Sequence, residues 1–218
     1  MSINAEVART QMVRQQVRAW DVLDPTVLAV LAAVPRESFV PPRYRNLAFA
    51  DTAIPLPGGE EMMTPQVEGR LLEALAVRGT DRVLEVGTGS GFLTACLARL
   101  AGQVTSLEIL PELADGARRS LQAADTWNVD VRCQDVYGYH PDERFDVIAV
   151  TGSIPEPDAR FQGWLADGGR LFVVTGEDPV MFARLVTRES GGQWTDTTLF
   201  ETSLPALRNA PRPSRFTF

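Results

Sequence analysis

Apolar positions at helical spacing fill the first third of the chain. They run through "AEVARTQMVRQQVRAW" and again through "DPTVLAVLAAV", predicting two amphipathic helices. Asp24 and Pro25 supply a capping acid and a first-turn proline for the second. "PRESFVPPRYRNLAFADTAIPLPGG" is broken by prolines and is expected to be largely irregular. A helix restarts at "TPQVEGRLLEALAV", with Thr64 at the cap position and Pro65 in the first turn.

After Gly79 the pattern changes to short apolar runs alternating with amphipathic segments. "DRVLEVG", "QVTSLEI", "VDVRCQD", "FDVIAVTG" and "GRLFVVTG" read as five strands. "FLTACLARLA", "PELADGARRSLQAA" and a segment around "PDARFQGWLA" read as intervening helices. Such alternation implies right-handed crossovers and a parallel sheet. "QWTDTTLFETSL" alternates with period two and predicts one or two antiparallel edge strands. The expected fold is α/β: a doubly wound, mostly parallel, Rossmann-like sheet with an N-terminal helical cap. The expected division is a cap and substrate loop over residues 1–78 and a cofactor-binding unit over 79–218, together one compact body. In the tail "LPALRNAPRPSRFTF" the prolines predict extended chain, and Phe216 and Phe218 a docked end strand.

Composition narrows the class. The 218 residues suit one large domain, with 44% hydrophobic and 22% charged positions. No apolar run is long enough to span a bilayer, and the N-terminus lacks the pattern of a secretory signal, so a soluble cytoplasmic protein without a membrane partner is expected. A net charge of -7 with scattered arginines argues against a nucleic-acid partner. Cys96 and Cys133 sit in apolar patterns and read as buried free thiols. His140 is the single histidine, which excludes a multi-histidine zinc site; no metal is expected.

The chemistry concentrates at "LEVGTGSGF". A phosphate-cradling loop of the Walker kind needs a lysine that is absent here. The dinucleotide pattern needs a third glycine where Phe92 or Thr94 stands. What remains is Glu85 with Gly87, Gly89 and Gly91, whose negative charge suits a cationic ligand such as S-adenosylmethionine. Two further acids end the next strands. Glu108 is placed to accept both hydroxyls of a ribose, and Asp135 to accept from an adenine amino group.

"VLEVGTGSGFLTACLARL", "VTSLEILPELADGAR" and "FDVIAVTGSIPEPDA" resemble the successive motifs of class I S-adenosylmethionine-dependent methyltransferases. "MVRQQVRAWDVLDPTVLAVLAAVPRESFVPPRYRNLAFADTAIPL" resembles the cap of protein-L-isoaspartate O-methyltransferases, and the resemblance as a whole covers about the first four-fifths of the chain. The resemblance implies methyl esterification of isoaspartyl carboxylates in damaged proteins, with S-adenosyl-L-homocysteine as product. It implies cofactor contacts from Glu85, Gly87, Thr88, Gly89, Ser90, Gly91, Glu108, Ile109, Asp135, Val136 and Thr151. The acceptor, a peptide or protein and in a variant reading a small molecule, would meet Met63, Thr64 and Pro65.

One stretch departs from that pattern. The family carries Thr-Ile-Ser-x-Pro before the cap-to-sheet helix, and anchoring on Pro65 puts Met63 at the serine position. Thr64 is then the hydroxyl expected to orient the acceptor. The family's Gly-x-Gly-Gln run is here Gly58-Gly59-Glu60-Glu61. Repair of isoaspartyl residues, methylation of another acceptor, and cofactor binding without catalysis are the three readings these residues leave.

Overall fold

The computed structural model describes residues 4–211. Helix α1 (Ala5–Met12) continues through a wide turn at Val13–Val17 and a tight one at Arg18–Trp20. Helix α2 (Pro25–Ala33) starts where Asp24 accepts from the Thr26 and Val27 amides, as its sequence predicts. Short helix α3 (Arg36–Phe39) and a tight turn at Pro42–Leu47 punctuate the proline-rich stretch. Strands β1 (Ile54–Pro55) and β2 (Glu61–Met62) then pair antiparallel, which makes the Leu56–Glu60 loop a tied hairpin. Helix α4 (Pro65–Leu75) follows, capped by the Thr64 hydroxyl.

The second part runs β3 (Arg82–Val86), α5 (Phe92–Leu100), β4 (Gln103–Glu108), α6 (Pro111–Ala123), β5 (Val129–Cys133), β6 (Phe145–Ile154), α7 (Ala159–Gly163), β7 (Leu165–Glu177), β8 (Val180–Arg188) and β9 (Trp194–Glu201). The sheet order is β5-β4-β3-β6-β7-β8-β9, parallel from β5 to β7 and antiparallel at β8 and β9. The strand order reverses direction at the β3–β6 pair, the place where doubly wound sheets bind ligands.

Burial explains the layering. Val83, Leu97, Val104 and Phe172 share one core with Leu31, Leu71 and Leu72 of the cap helices. Leu84, Val86, Ile148, Phe161 and Val173 face the opposite side of the sheet. The central strands are buried on both faces, hence their near-continuous apolar runs.

The structure adds one element and corrects two expectations. "VMFARLVTR" forms β8, which pairs with β7 and with β9 although an arginine and a β-bulge interrupt its alternation. The segment around "PDARFQGWLA" yields five helical residues, because the chain re-enters the sheet at Leu165 opposite Phe145. Cys96 is buried, but Cys133 is exposed on β5, an edge strand of the sheet. Phe216 and Phe218 lie outside the described residues.

Candidate active site

A cleft opens beyond the carboxyl ends of β3, β4, β5 and β6. Its free volume, counted out to the open mouth, is about 880 Å³. The loop from Leu56 to Met63 and the segment from Pro205 to Arg208 form its outer walls. The turn after β3 forms its floor. Gly87 has φ +98°, and a Cβ there would stand 2.2 Å from the Thr151 hydroxyl oxygen. Thr151, on the neighbouring β6, fits because that oxygen lies 2.9 Å from the Val86 carbonyl and 2.8 Å from that of Gly87. A glycine at position 87 thus lets two strand ends touch under the cleft.

Glu108, almost fully buried at the end of β4, holds the turn from the other side. Its Oε2 accepts from the Gly89 amide at 2.8 Å and its Oε1 from the Leu110 amide at 3.0 Å. Each oxygen retains a further lone pair. Asp135 follows β5, where Oδ1 accepts from the Tyr137 amide and Oδ2 from the Asn209 side chain at 2.8 Å. Thr88, Ser90, Ile109 and Val136 also line the cleft, as does Met63. The Thr88 hydroxyl lies 2.6 Å from that of Ser106.

Four expected site residues do not reach the cleft wall. Glu85 is fully buried on the helix-facing side of β3, where its Oε2 accepts from Thr94 and Ser106, each at 2.5 Å. Burial pushes its carboxyl up to about 8 against these two hydrogen bonds. Its hydrogen bonds to α5 and β4 give the turn structure. Gly91, with φ +86°, is the N-cap of α5, and a Cβ there would stand 3.2 Å from that of Ala117. Thr64 turns its hydroxyl to the Val67 amide, and Pro65 is buried in the first turn of α4. Met62 and Met63 both line the cleft, whereas the capping role of Thr64 commits its hydroxyl to α4.

Comparison with known proteins gives the same outline. A family model for protein-L-isoaspartate(D-aspartate) O-methyltransferase matches residues 8–203. The chain belongs to this family. A protein-L-isoaspartate O-methyltransferase 1 of an Anaeromyxobacter species is 40% identical over 212 residues, covering 96% of this chain and 97% of that one. Its namesake from Rhodopseudomonas palustris is 42% identical over 171 residues, 78% of this chain and 70% of that one. Among solved structures, a Plasmodium falciparum putative protein-L-isoaspartate O-methyltransferase in complex with S-adenosyl-L-homocysteine has the same fold. Its TM-score is 0.81 at 19% identity, over 92% of this chain and 98% of that one.

In this member of the family the loop facing the cofactor turn is apolar and acidic. Met62 and Met63 are buried side by side. Glu60 is paired with Arg208 at 2.7 Å, while Glu61 is exposed. Although Glu61 as a whole is exposed, partial desolvation of its carboxyl and then its neighbour Glu60 raise that group above its ordinary value. Sequence reading missed two contributors. Pro205–Arg208 reaches the cleft because its backbone is tied to Ser153 of β6, at 2.9 Å for Ser153 N to Pro205 O and 2.8 Å for Leu207 N to Ser153 O. Glu68 of α4 lines the cleft and is ion-paired with the fully buried Arg36. The prolines of the tail and the helical periodicity around Glu68 disguised both as structural; a carboxylate on the buried stripe of α4 was the available signal.

Proposed function

We propose that this chain is an S-adenosylmethionine-dependent methyltransferase that esterifies the carboxylate of L-isoaspartyl residues in damaged proteins or peptides. The observation that carries the reading is one cleft bounded on one side by Glu108 and Asp135 and on the other by Met63 of the loop that the family match covers. The related P. falciparum protein binds S-adenosyl-L-homocysteine, by the description of its structure.

The residues present fit that cofactor. Among the described residues, Glu60, Glu61, Glu68, Glu108 and Asp135 line the cleft; Glu60 and Glu68 are paired with Arg208 and Arg36, and the remaining acids suit a ligand bearing a sulfonium and an ammonium. The floor leaves no room for a side chain at Gly87. When bound, S-adenosylmethionine supplies an electrophilic methyl group. Glu108 would accept from the ribose hydroxyls through its free lone pairs, and Asp135 from the adenine amino group. Gly87, Thr88, Gly89, Ser90, Ile109, Val136 and Thr151 would line the remaining contacts.

An isoaspartyl carboxylate is ionised at neutral pH, so the acceptor needs no general base. The chain's work is alignment and exclusion of water. Leu56, Met62 and Met63 supply the dry wall. Thr64, whose hydroxyl caps α4, is not the acceptor-orienting donor in this arrangement. We read the described parts of residues 1–78 and 79–218 as one body, since cap and sheet side chains share a core. No helix of the described residues is long and apolar enough to cross a membrane; a cytoplasmic site of action is part of the proposal.

A second reading has its own support. Met63 at the serine position, with the Thr64 hydroxyl turned away and Glu61 at the lip, favours an acceptor other than an isoaspartyl carboxylate, including a small molecule. Incubating the protein with S-adenosylmethionine and an isoaspartyl peptide, with the aspartyl peptide as control, decides between them. Formation of a base-labile methyl ester on the first peptide alone is expected. No ester, with S-adenosylhomocysteine binding intact by calorimetry, overturns the repair reading.

A further inference from the structure

Arg36 lies outside the cleft and is fully buried, yet each of its three guanidinium nitrogens has a partner. Nε donates to the Ala48 carbonyl at 3.0 Å, Nη2 to the Met63 carbonyl at 2.7 Å, and Nη1 meets the Glu68 carboxylate. Its plane stands over the Phe92 ring, with Cζ 4.7 Å from the centroid. Phe92 is the first residue of α5, immediately after the glycine turn. One side chain therefore ties the cap, the acceptor loop, α4 and the start of the cofactor-facing helix.

A buried ion pair is poor evidence of stabilisation, because an apolar pair of similar volume commonly does as well. Loop closure alone would not need an arginine either. What the planar fork adds is direction: three acceptors at fixed angles about one rigid group. The Met63 carbonyl is fixed relative to Phe92, and so the wall facing the acceptor is fixed relative to the turn facing the cofactor.

We propose that Arg36 is a positioning residue for methyl transfer, setting the distance between the acceptor loop at Met63 and the glycine turn. The proposal rests on the methyltransferase reading above. Arg36 touches neither ligand and acts through the Met63 backbone. In-line displacement is sensitive to such spacing, and a misplacement of about 1 Å costs on the order of 100-fold in rate.

The test compares Arg36→Lys with the paired Arg36→Met/Glu68→Met. Lysine keeps a charge opposite Glu68 but cannot reach three acceptors. Expected for Arg36→Lys is a fall in kcat of about 10-fold or more, with S-adenosylhomocysteine affinity within about threefold of wild type. The paired apolar variant is expected to melt near wild type and to lose kcat at least as strongly. Hydrogen exchange across residues 61–64 is expected to quicken in both. Wild-type kcat in Arg36→Lys overturns the proposal, as does a parallel loss of S-adenosylhomocysteine affinity, which would mean general collapse of the site. Should the paired variant not fold, Arg36→Lys carries the decision alone. Should wild type methylate no isoaspartyl peptide, the functional reading fails, and the exchange measurement still decides: unchanged exchange at 61–64 overturns the positioning role.

Discussion

Arg208 donates from Nε to the Glu60 carboxylate at 2.7 Å, and from Nη2 to the Gly58 carbonyl at 2.6 Å. Residues 150 apart thus meet across the mouth of the cleft. The neighbouring Asn209 reaches the Asp135 carboxylate, so this short segment touches both the acceptor loop and the adenine end of the proposed cofactor site.

The ion pair is partly exposed, and such pairs contribute about 0–1 kcal/mol. Arg208→Ala is therefore expected to lower Tm by no more than about 3 °C. Its effect belongs to kinetics: without the clasp, S-adenosylhomocysteine should leave several-fold faster. Stopped-flow displacement measures this. An unchanged dissociation rate would show that the clasp does not gate the cleft.

Glu108→Ala tests the ribose assignment. The carboxylate already orders the turn through the Gly89 and Leu110 amides, and hydrogen bonds to charged groups contribute about 1.5–3 kcal/mol each. Losing these and two ribose hydroxyl contacts should weaken S-adenosylhomocysteine binding by 100-fold or more on this scale. Calorimetry reads the affinity. A value within a few-fold of wild type would refute the assignment.

Much of this architecture is legible in the chain. The strands β3 and β6 and the middle of β7 are apolar runs because both faces are buried, and α2 and α4 declare themselves through Asp24, Pro25, Thr64 and Pro65. Glu108 and Asp135 could be placed because strand ends mark the ligand side of such sheets. Other features depend on tertiary packing. Strand alternation decides that Glu85 faces α5, and a one-residue difference decides that Met63 lines the cleft instead of Thr64. Arg36 reads as an ordinary helical arginine until Ala48, Met63 and Glu68 are brought around it. The tail reaches the cleft through long-range pairing with Ser153, which no local pattern encodes.

Gly87→Ala places a methyl group 2.2 Å from the Thr151 hydroxyl at a backbone φ of +98°. Strain and overpacking together should cost about 2–5 kcal/mol. Thr151→Ala removes the clashing oxygen, so the double variant should recover part of that loss. The remaining deficit is the left-handed backbone. Denaturant unfolding of the two single variants and the double variant measures the coupling; strict additivity would mean that the clash is relieved by other means.

Burial raises Glu85 to about 8 in the fold, from 4.5 as an ordinary carboxyl. Between these values the folded chain holds a proton that the unfolded chain has released, so stability falls as pH rises. Below about pH 4.5 the group contributes nothing, and above about pH 8 its cost is complete. Glu68, raised to about 7 by burial with Arg36 opposing, acts with the same sign over a narrower window. Glu85→Gln keeps an acceptor for Thr94 and Ser106 without a titrating proton. Its Tm should drop less than that of wild type between about pH 5 and pH 8. Scanning calorimetry at the two pH values checks this; equal drops would mean that Glu85 is ionised in the folded protein.

Met63→Ser restores a hydroxyl where the family resemblance implies one. Met63 is buried and lines the cleft beside Met62, so truncation should cost about 2–4 kcal/mol in stability. The new hydroxyl would face the acceptor, whereas the Thr64 hydroxyl is held by α4. A hydrogen bond to an acceptor carboxylate is worth about 1.5–3 kcal/mol, enough for roughly a 10-fold rise in kcat/KM toward an isoaspartyl peptide. Stability and activity should move in opposite directions in this variant. Steady-state methylation of the peptide below the Tm of the variant measures the gain. A loss, with S-adenosylhomocysteine affinity retained, would mean that the apolar wall itself suits the true acceptor and would favour the second reading over repair.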